Sequence, residues 1–307
     1  MLDNDVWGAA AQVRTANRWH SAAANWNSAL TEALLDSANL RQSDLVVDVA
    51  AGSGDPALSI AERLRSGSVF AMDRSHPSLL LAKQQSDTMG LGSKLRLVQA
   101  DVHQLPFSNS SVDRITCRFG IMFFADIDTA FTEMLRVLKP RGRVALLAWG
   151  RFEQPFFEST VGVVLRMIPG ARMPEPASAM FKFANRGSIE DALSRNRFRN
   201  IEERHITLPR IWAGSSVDFW QYFQEISTLF QPLMRAIPVN MRPKVDEAVG
   251  IAVARFLSCP LPIDEHDVAV ALLQMQRDAN SHDSRSEDDY IRARVHPARS
   301  PVHDCSS

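Results

Sequence analysis

Cysteine is scarce in this chain. Cys117, Cys259 and Cys305 stand far apart, and so wide a spacing offers neither a disulfide framework nor a thiolate ligand cluster. Cys117, inside an apolar segment, reads as a small buried hydrophobe. No apolar run reaches the roughly 18 residues needed to span a bilayer, no signal-peptide pattern stands at the start, and no internal repeat is visible. A cytoplasmic location is the simplest expectation. Net charge is missing too: the formal value is -1, which removes any general attraction for nucleic acid or an anionic membrane surface.

Apolar residues are plentiful. At 307 residues and 45% hydrophobic content, the chain can bury a large core with extra helical cover. The most informative stretch is the strand Leu45-Val46-Val47-Asp48-Val49 running into Ala50-Ala51-Gly52-Ser53-Gly54-Asp55-Pro56. Ala50, Gly52 and Gly54 allow a sharp turn whose amides can approach a ligand, the pattern of a nucleotide-cofactor cradle. Asp55 is placed to cap the next helix, with Pro56 at its first position. That helix is expected from Ala57 to Arg65, closing at Gly67.

Further strands follow at regular intervals. Ser68 to Met72 leads into Asp73, a carboxylate that can accept hydrogen bonds from both hydroxyls of a ribose. Lys94 to Ala100 ends at Asp101, an acceptor for the amino group of adenine, with Val102 beside it for apolar and backbone contact. Val112 to Cys117 runs into Arg118-Phe119-Gly120-Ile121-Met122-Phe123-Phe124. A helix from about Asp126 to Leu138, the turn Lys139-Pro140-Arg141-Gly142 and a fifth strand from Arg143 to Trp149 complete an α/β pattern.

The ordered set Asp48, Gly52, Gly54, Asp73, Asp101 and Leu138-Lys139-Pro140-Arg141-Gly142-Arg143 resembles the class I S-adenosylmethionine-dependent methyltransferases. It is most similar to the branch of the ubiquinone and menaquinone biosynthesis C-methyltransferases, over roughly residues 40 to 150. The resemblance implies a Rossmann-like, doubly wound, mostly parallel seven-stranded sheet with helical lid insertions, and S-adenosylmethionine as cofactor. It assigns Asp48, Ala50, Gly52 and Gly54 to the methionine part of that cofactor and Asp73, with Arg74 beside it, to the ribose. Asp101 and Val102 go to the adenine. Arg118 and Phe119 would lie near the cofactor's amino acid end and the substrate. Two departures stand out: Ala51 replaces a glycine, and Met122-Phe123 replaces the Arg-Asn usual after the Phe-Gly pair in the quinone enzymes. The second counts against a quinone acceptor.

Four regions follow: residues 1–40 as a helical cap, 41–150 as the cofactor core, 151–277 as the rest of the sheet with a helical lid, and 278–307 as a mobile tail. In the cap, Trp19, Ala22, Ala23, Trp26 and Leu30 recur at helical spacing. Residues 151 to 186 read as an insertion, Ser188 to Asn196 as a helix and Ile201 to Leu208 as a sixth strand. Between Ser215 and Leu257 an apolar face forms from Phe219, Trp220, Phe223, Ile226 and Phe230. Asp267 to Leu273 is expected as a seventh, antiparallel strand, although Val268 to Leu273 suits a helix equally. Asn280 to Ser307 has almost no aliphatic residues to offset its ordering entropy. His282, His296 and His303 there have no ligand spacing, so no metal is expected.

The expected reaction is methyl transfer to a small, largely apolar acceptor, aromatic, polyketide or lipid-like, in a pocket including Phe119, Trp220 and Phe223. His20 is the best candidate base; His103 is expected to flank the cofactor and His205 to be exposed. Two other readings stay open. Gly52-Ser53-Gly54-Asp55-Pro56-Ala57 fits a relaxed dinucleotide fingerprint with Asp73 about 20 residues on, as in an NAD(P)-dependent oxidoreductase. A cofactor-binding module without catalysis is the other.

Overall fold

The computed structural model describes residues 18–19, 22–23, 25–208, 211–258 and 272–276. Apolar, β-branched runs form the parallel strands β1 (Leu45–Val49), β2 (Ser68–Asp73), β3 (Leu95–Gln99), β4 (Val112–Arg118) and β5 (Leu138–Leu147). The central strands β1 and β4 are buried on both sides, as parallel strands under helical cover are, whereas the edge strand β3 exposes Arg96 and Gln99. The chain then adds β6 (Arg199–Arg204) and β7 (Leu272–Gln276), with β7 antiparallel between β5 and β6. The resulting order is β3-β2-β1-β4-β5-β7-β6. This is the α/β, mostly parallel architecture that the resemblance implies.

Successive side chains of β1 enter different cores, because a strand alternates its faces. Val46 packs with Ile60 and Ala61 of α2 (Ala57–Arg63) and Leu79 of α3 (His76–Thr88). Val47 and Val49 join Phe131 and Met134 of α4 (Ile127–Val137) and the aromatic cover beyond. Before β1 lies α1 (Ser28–Ala38), with Leu30 and Leu34 fully buried.

Several expected boundaries move. The Lys139 to Gly142 turn lies inside β5: Val112 pairs with Leu138 and Arg114 with Arg143, so the residues between bulge out. Lys139 Nζ binds Asp113 at 2.8 Å, and a Cβ on Gly142 would stand 2.9 Å from the Lys139 carbonyl oxygen. The bulge sits where β5 begins, at the sheet edge away from the ends of β1 and β4. β6 starts directly after the buried Phe198, earlier than expected. β7 lies later than Asp267 to Leu273, at the residues that pair with both Arg143 and Arg199. The remaining tail, Cys259, Cys305 and His20 lie outside the described residues.

The cover comprises α5 (Pro155–Glu158), α6 (Val161–Met167), α7 (Glu175–Ser178), α8 (Ser188–Arg195), α9 (Ser216–Ile226), α10 (Gln231–Arg235) and α11 (Arg242–Ser258). A reciprocal cap between Ser215 and Asp218 starts α9. Among the described residues no helix is long and apolar enough to cross a membrane.

Candidate active site

Strand order reverses between β1 and β4, and in an open α/β sheet the ligand crevice opens at the carboxyl ends of the strands at such a switch. The loops leaving the two strands touch there. An ideal Cβ on Gly120 would lie 2.6 Å from Ala50 Cβ and 2.7 Å from Cys117 Sγ, so only glycine lets them meet. Gly52 has φ +53° with open space where its Cβ would be, whereas a Cβ on Gly54 would press 3.0 Å against Ala82 of α3. The first glycine leaves room above the loop and the second lets α3 pack beneath it. Ala50 (φ 57°) and Phe119 (φ 59°) also hold left-handed backbone. For a bulky residue such as Phe119 that conformation costs about 1–3 kcal/mol.

The two strand-end carboxylates are anchored by backbone amides and keep acceptor capacity. Asp73 Oδ2 accepts from Gly52 N and Oδ1 from Ser75 N, both at 2.8 Å. A carboxylate has about four lone-pair sites, so two remain for hydroxyl donors. Asp101 Oδ1 accepts from His103 N at 3.0 Å and pairs with His103 Nδ1, while Arg74 Nε stands 3.6 Å from Oδ2. Burial raises the Asp101 carboxyl, but the His103 hydrogen bonds and Arg74 outweigh it and hold it below the usual range. His103 Nε2 accepts from Asp126 N at 3.1 Å, which assigns the proton to Nδ1. Both ring nitrogens are therefore engaged, Nδ1 with Asp101 and Nε2 with the Asp126 amide. Val102 is buried beside it.

Beneath the loop runs a polar seam. Arg114 and Thr116 of β4 stand opposite Val46 and Asp48 of β1, and β alternation puts Arg114, Thr116 and Arg118 on one face. Arg114 donates to the carbonyls of Ala38 and Asn39 at the end of α1. Thr116 Oγ1 donates to Asp48 Oδ1 at 2.7 Å. Asp48 is fully buried and its Oδ2 finds no hydrogen-bond donor among the described residues; burial pushes its carboxyl up to about 7. Arg118 Nη1 donates to Asp55 at 2.5 Å and to Thr31 Oγ1 at 2.8 Å, and Thr31 in turn donates to Asp55 at 2.9 Å. This corrects the expected cap: Pro56 occupies the N-cap position of α2 without a side-chain bond, because the Asp55 carboxylate is drawn to Arg118 and Thr31.

S-adenosylmethionine fits these residues. The open space over Gly52, the orphaned Asp48 oxygen and the remaining lone pairs of Asp73 suit a cationic amino acid joined to a ribose. Asp101 and Val102 offer an acid and an apolar surface for an adenine.

Aromatic rings continue from the exit of β4. Phe119 lies parallel to Trp149, centroids 4.3 Å apart at 7°, and Trp149 parallel to Phe156 at 5.7 Å and 9°. Trp26 reaches Phe156 at 5.7 Å and Phe219 at 4.9 Å. Met122 is buried and its sulfur accepts the Trp149 amide at 3.4 Å. Of the two rings expected on α9, Phe223 meets Phe156 edge-on at 5.7 Å, and Trp220 lies behind it. The Trp220 indole donates to Asp246 of α11 at 2.8 Å, and its ring stacks on Phe223 at 5.7 Å. Both are buried, whereas Ile226, expected on the same face, is exposed. His205 corrects an expectation of exposure. Its side chain is only 7% exposed and pairs at 2.6 Å with Glu203, which turns inward to accept Gly187 N and Glu190 N at the start of α8. No group that could hold a metal occurs among the described residues. Sequence reasoning missed Thr31, Thr116 and Trp149. The alternation Arg114, Thr116, Arg118 against Ile115 and Cys117 was the available signal for the seam.

Residues 24–170 match the model of the ubiE/COQ5 methyltransferase family. The demethylmenaquinone methyltransferase of Thermus thermophilus is 37% identical over 33% of this chain and 46% of its own length. The ubiquinone/menaquinone biosynthesis C-methyltransferase UbiE of Bartonella bacilliformis is 38% identical over 37% of this chain and 44% of its own length. The chain thus spans less than half of these relatives. Phosphoethanolamine N-methyltransferase 2 of Haemonchus contortus, solved with S-adenosylhomocysteine, shares the fold at TM-score 0.51 and 16% identity, over 83% of this chain and 53% of that one. The similarity to class I S-adenosylmethionine-dependent methyltransferases, read first in the motifs, therefore stands.

Proposed function

We propose that this chain, whose residues 24–170 carry the ubiE/COQ5 methyltransferase pattern, transfers the methyl group of S-adenosylmethionine to a small, largely apolar acceptor. The observation that carries the reading is the meeting of two unlike walls at one strand switch, the glycine loop of β1 and the parallel rings Phe119 and Trp149. The bound cofactor supplies an activated methyl on a sulfonium. Asp48, Ala50, Gly52 and Gly54 take its amino acid part, Asp73 its ribose, and Asp101 with Val102 its adenine. Arg118 steadies the loop through Asp55. Arg74 neutralises Asp101 from outside.

The rings supply an apolar wall that excludes water and fixes the acceptor, and orientation alone contributes roughly 7–11 kcal/mol. His103 and His205 are engaged as hydrogen-bond partners. The reading thus asks no proton transfer of them, and an acceptor that loses its proton readily suits the site. The named relatives act on demethylmenaquinone or in ubiquinone and menaquinone biosynthesis. Here Met122 turns into the core beside Trp149, which supports an apolar acceptor other than a quinone. The test is incubation of the protein with a metabolite extract and a methyl-labelled donor. Label in an apolar small molecule is expected; absence of labelled product together with tight NADH binding would replace the reading with the oxidoreductase.

A further inference from the structure

We propose that Phe119 is a stacking platform for a planar, conjugated acceptor ring and so sets acceptor specificity. This rests on the methyl-transfer reading and narrows its substrate class. Three independent features converge on this ring. Its backbone holds φ 59°, a conformation that a bulky side chain keeps only where the surroundings impose it. The surroundings here are the Phe119 amide, bonded to the Leu147 carbonyl at 2.8 Å, and Gly120, wedged against Ala50. The wedge sets the height of the ring relative to the cofactor loop.

The second feature is the parallel ladder Phe119, Trp149, Phe156, with interplanar angles of 7° and 9°. Trp149 and Phe156 are each only 7% exposed, whereas Phe119 is half-buried. The stack therefore ends at a ring that is still partly open. The third feature is its place, at the C-terminal edge of β4 beside the β1 loop. A saturated acceptor would gain nothing from such parallel alignment that any apolar wall would not give. A conjugated ring gains offset stacking on top of area burial, and its plane then points its edge substituent in one direction.

Two probes with the same carbon skeleton test this: 2-naphthol, planar, and decahydro-2-naphthol, saturated. Binding is measured on the full chain in the presence of S-adenosylhomocysteine, 2-naphthol by its fluorescence and the saturated probe by competition. The wild type is expected to prefer 2-naphthol by about tenfold. Phe119→Leu should abolish that preference while leaving S-adenosylhomocysteine affinity within about twofold, and Phe119→Tyr should restore it. Equal binding of the two probes by the wild type overturns the platform, as does an undiminished preference in Phe119→Leu. Methyl transfer is scored separately: a Phe119-dependent preference with no transfer to any acceptor would sink the enzymatic reading and leave the platform standing.

Discussion

The cofactor half of this molecule and its aromatic cover are held together by different physics. Around β1, β2 and β3 the site is built from backbone: amides of Gly52, Ser75 and His103 fix the carboxylates of Asp73 and Asp101, and left-handed turns fix the loop. Each such contact spans a few residues or one strand pairing. In the cover, the contacts are rings from distant segments, Trp26 with Phe219 and Trp19 with Trp212, and Trp19 also reaches Glu225 through its indole nitrogen. Backbone geometry tolerates few substitutions but leaves a readable signature. Ring packing tolerates many and leaves almost none.

The largest expected effect separates the two halves. Trp26 is buried and touches Phe156, Trp212 and Phe219. Trp26→Ala should destabilise the protein by about 3–5 kcal/mol in denaturant unfolding. Cofactor affinity measured by calorimetry on the folded fraction should fall no more than about threefold. A collapse of cofactor binding in step with stability would show that cover and cofactor half are one cooperative unit.

That division also explains what was legible in the sequence. Asp48, Gly52, Gly54, Asp73 and Asp101 were readable as loop and strand-end positions because local spacing places them there. The helix cap expected of Asp55 failed because its partners, Thr31 and Arg118, come from α1 and β4. The apolar face of α9 was visible, but periodicity cannot say what a face covers. Only the structure shows Trp220 bonded to Asp246 of α11, and it leaves Phe119, Trp149 and Phe156 as the aromatic ladder at the strand ends. The Lys139 to Gly142 turn was recognised by pattern, while its place, a bulge opening β5, depends on pairing with β4.

A second test addresses the cofactor half alone. Asp73→Ala removes the proposed ribose acceptor and the anchor of the Gly52 amide, and should weaken S-adenosylmethionine binding by about 1.5–3 kcal/mol with little change in unfolding midpoint. Unchanged affinity would detach Asp73 from the cofactor.

Asp48 gives a smaller effect per pH unit with a definite sign. Its carboxyl is raised from 3.8 to about 7 by burial, so between those values the folded protein keeps a proton that the unfolded chain has released. Stability from this group is therefore full below pH 4 and falls as pH rises, by about tenfold in the folding constant per unit, until it levels off above 7. Asp48→Asn keeps the acceptor for Thr116 and cannot ionise. Its unfolding free energy should lose that slope, and the variant should be the more stable of the two at pH 8. Parallel pH profiles would mean that Asp48 is ionised in the folded state throughout, its orphaned oxygen met by water.

The smallest effect concerns the link between the halves. Thr31 lies in α1, which begins just after Trp26, and it joins Asp55 of the cofactor loop to Arg118. Thr31→Val keeps the shape and removes both hydrogen bonds, while the 2.5 Å pair of Arg118 with Asp55 can persist. Because one charged pair retains each partner, the cost should be near the lower end for a buried hydrogen bond, about 1 kcal/mol, and cofactor affinity should change by no more than about threefold. If cofactor affinity instead drops by tenfold or more at nearly constant stability, α1 is holding the loop in its binding shape. The boundary between the two halves would then have to be drawn before Ser28 rather than at the glycine loop.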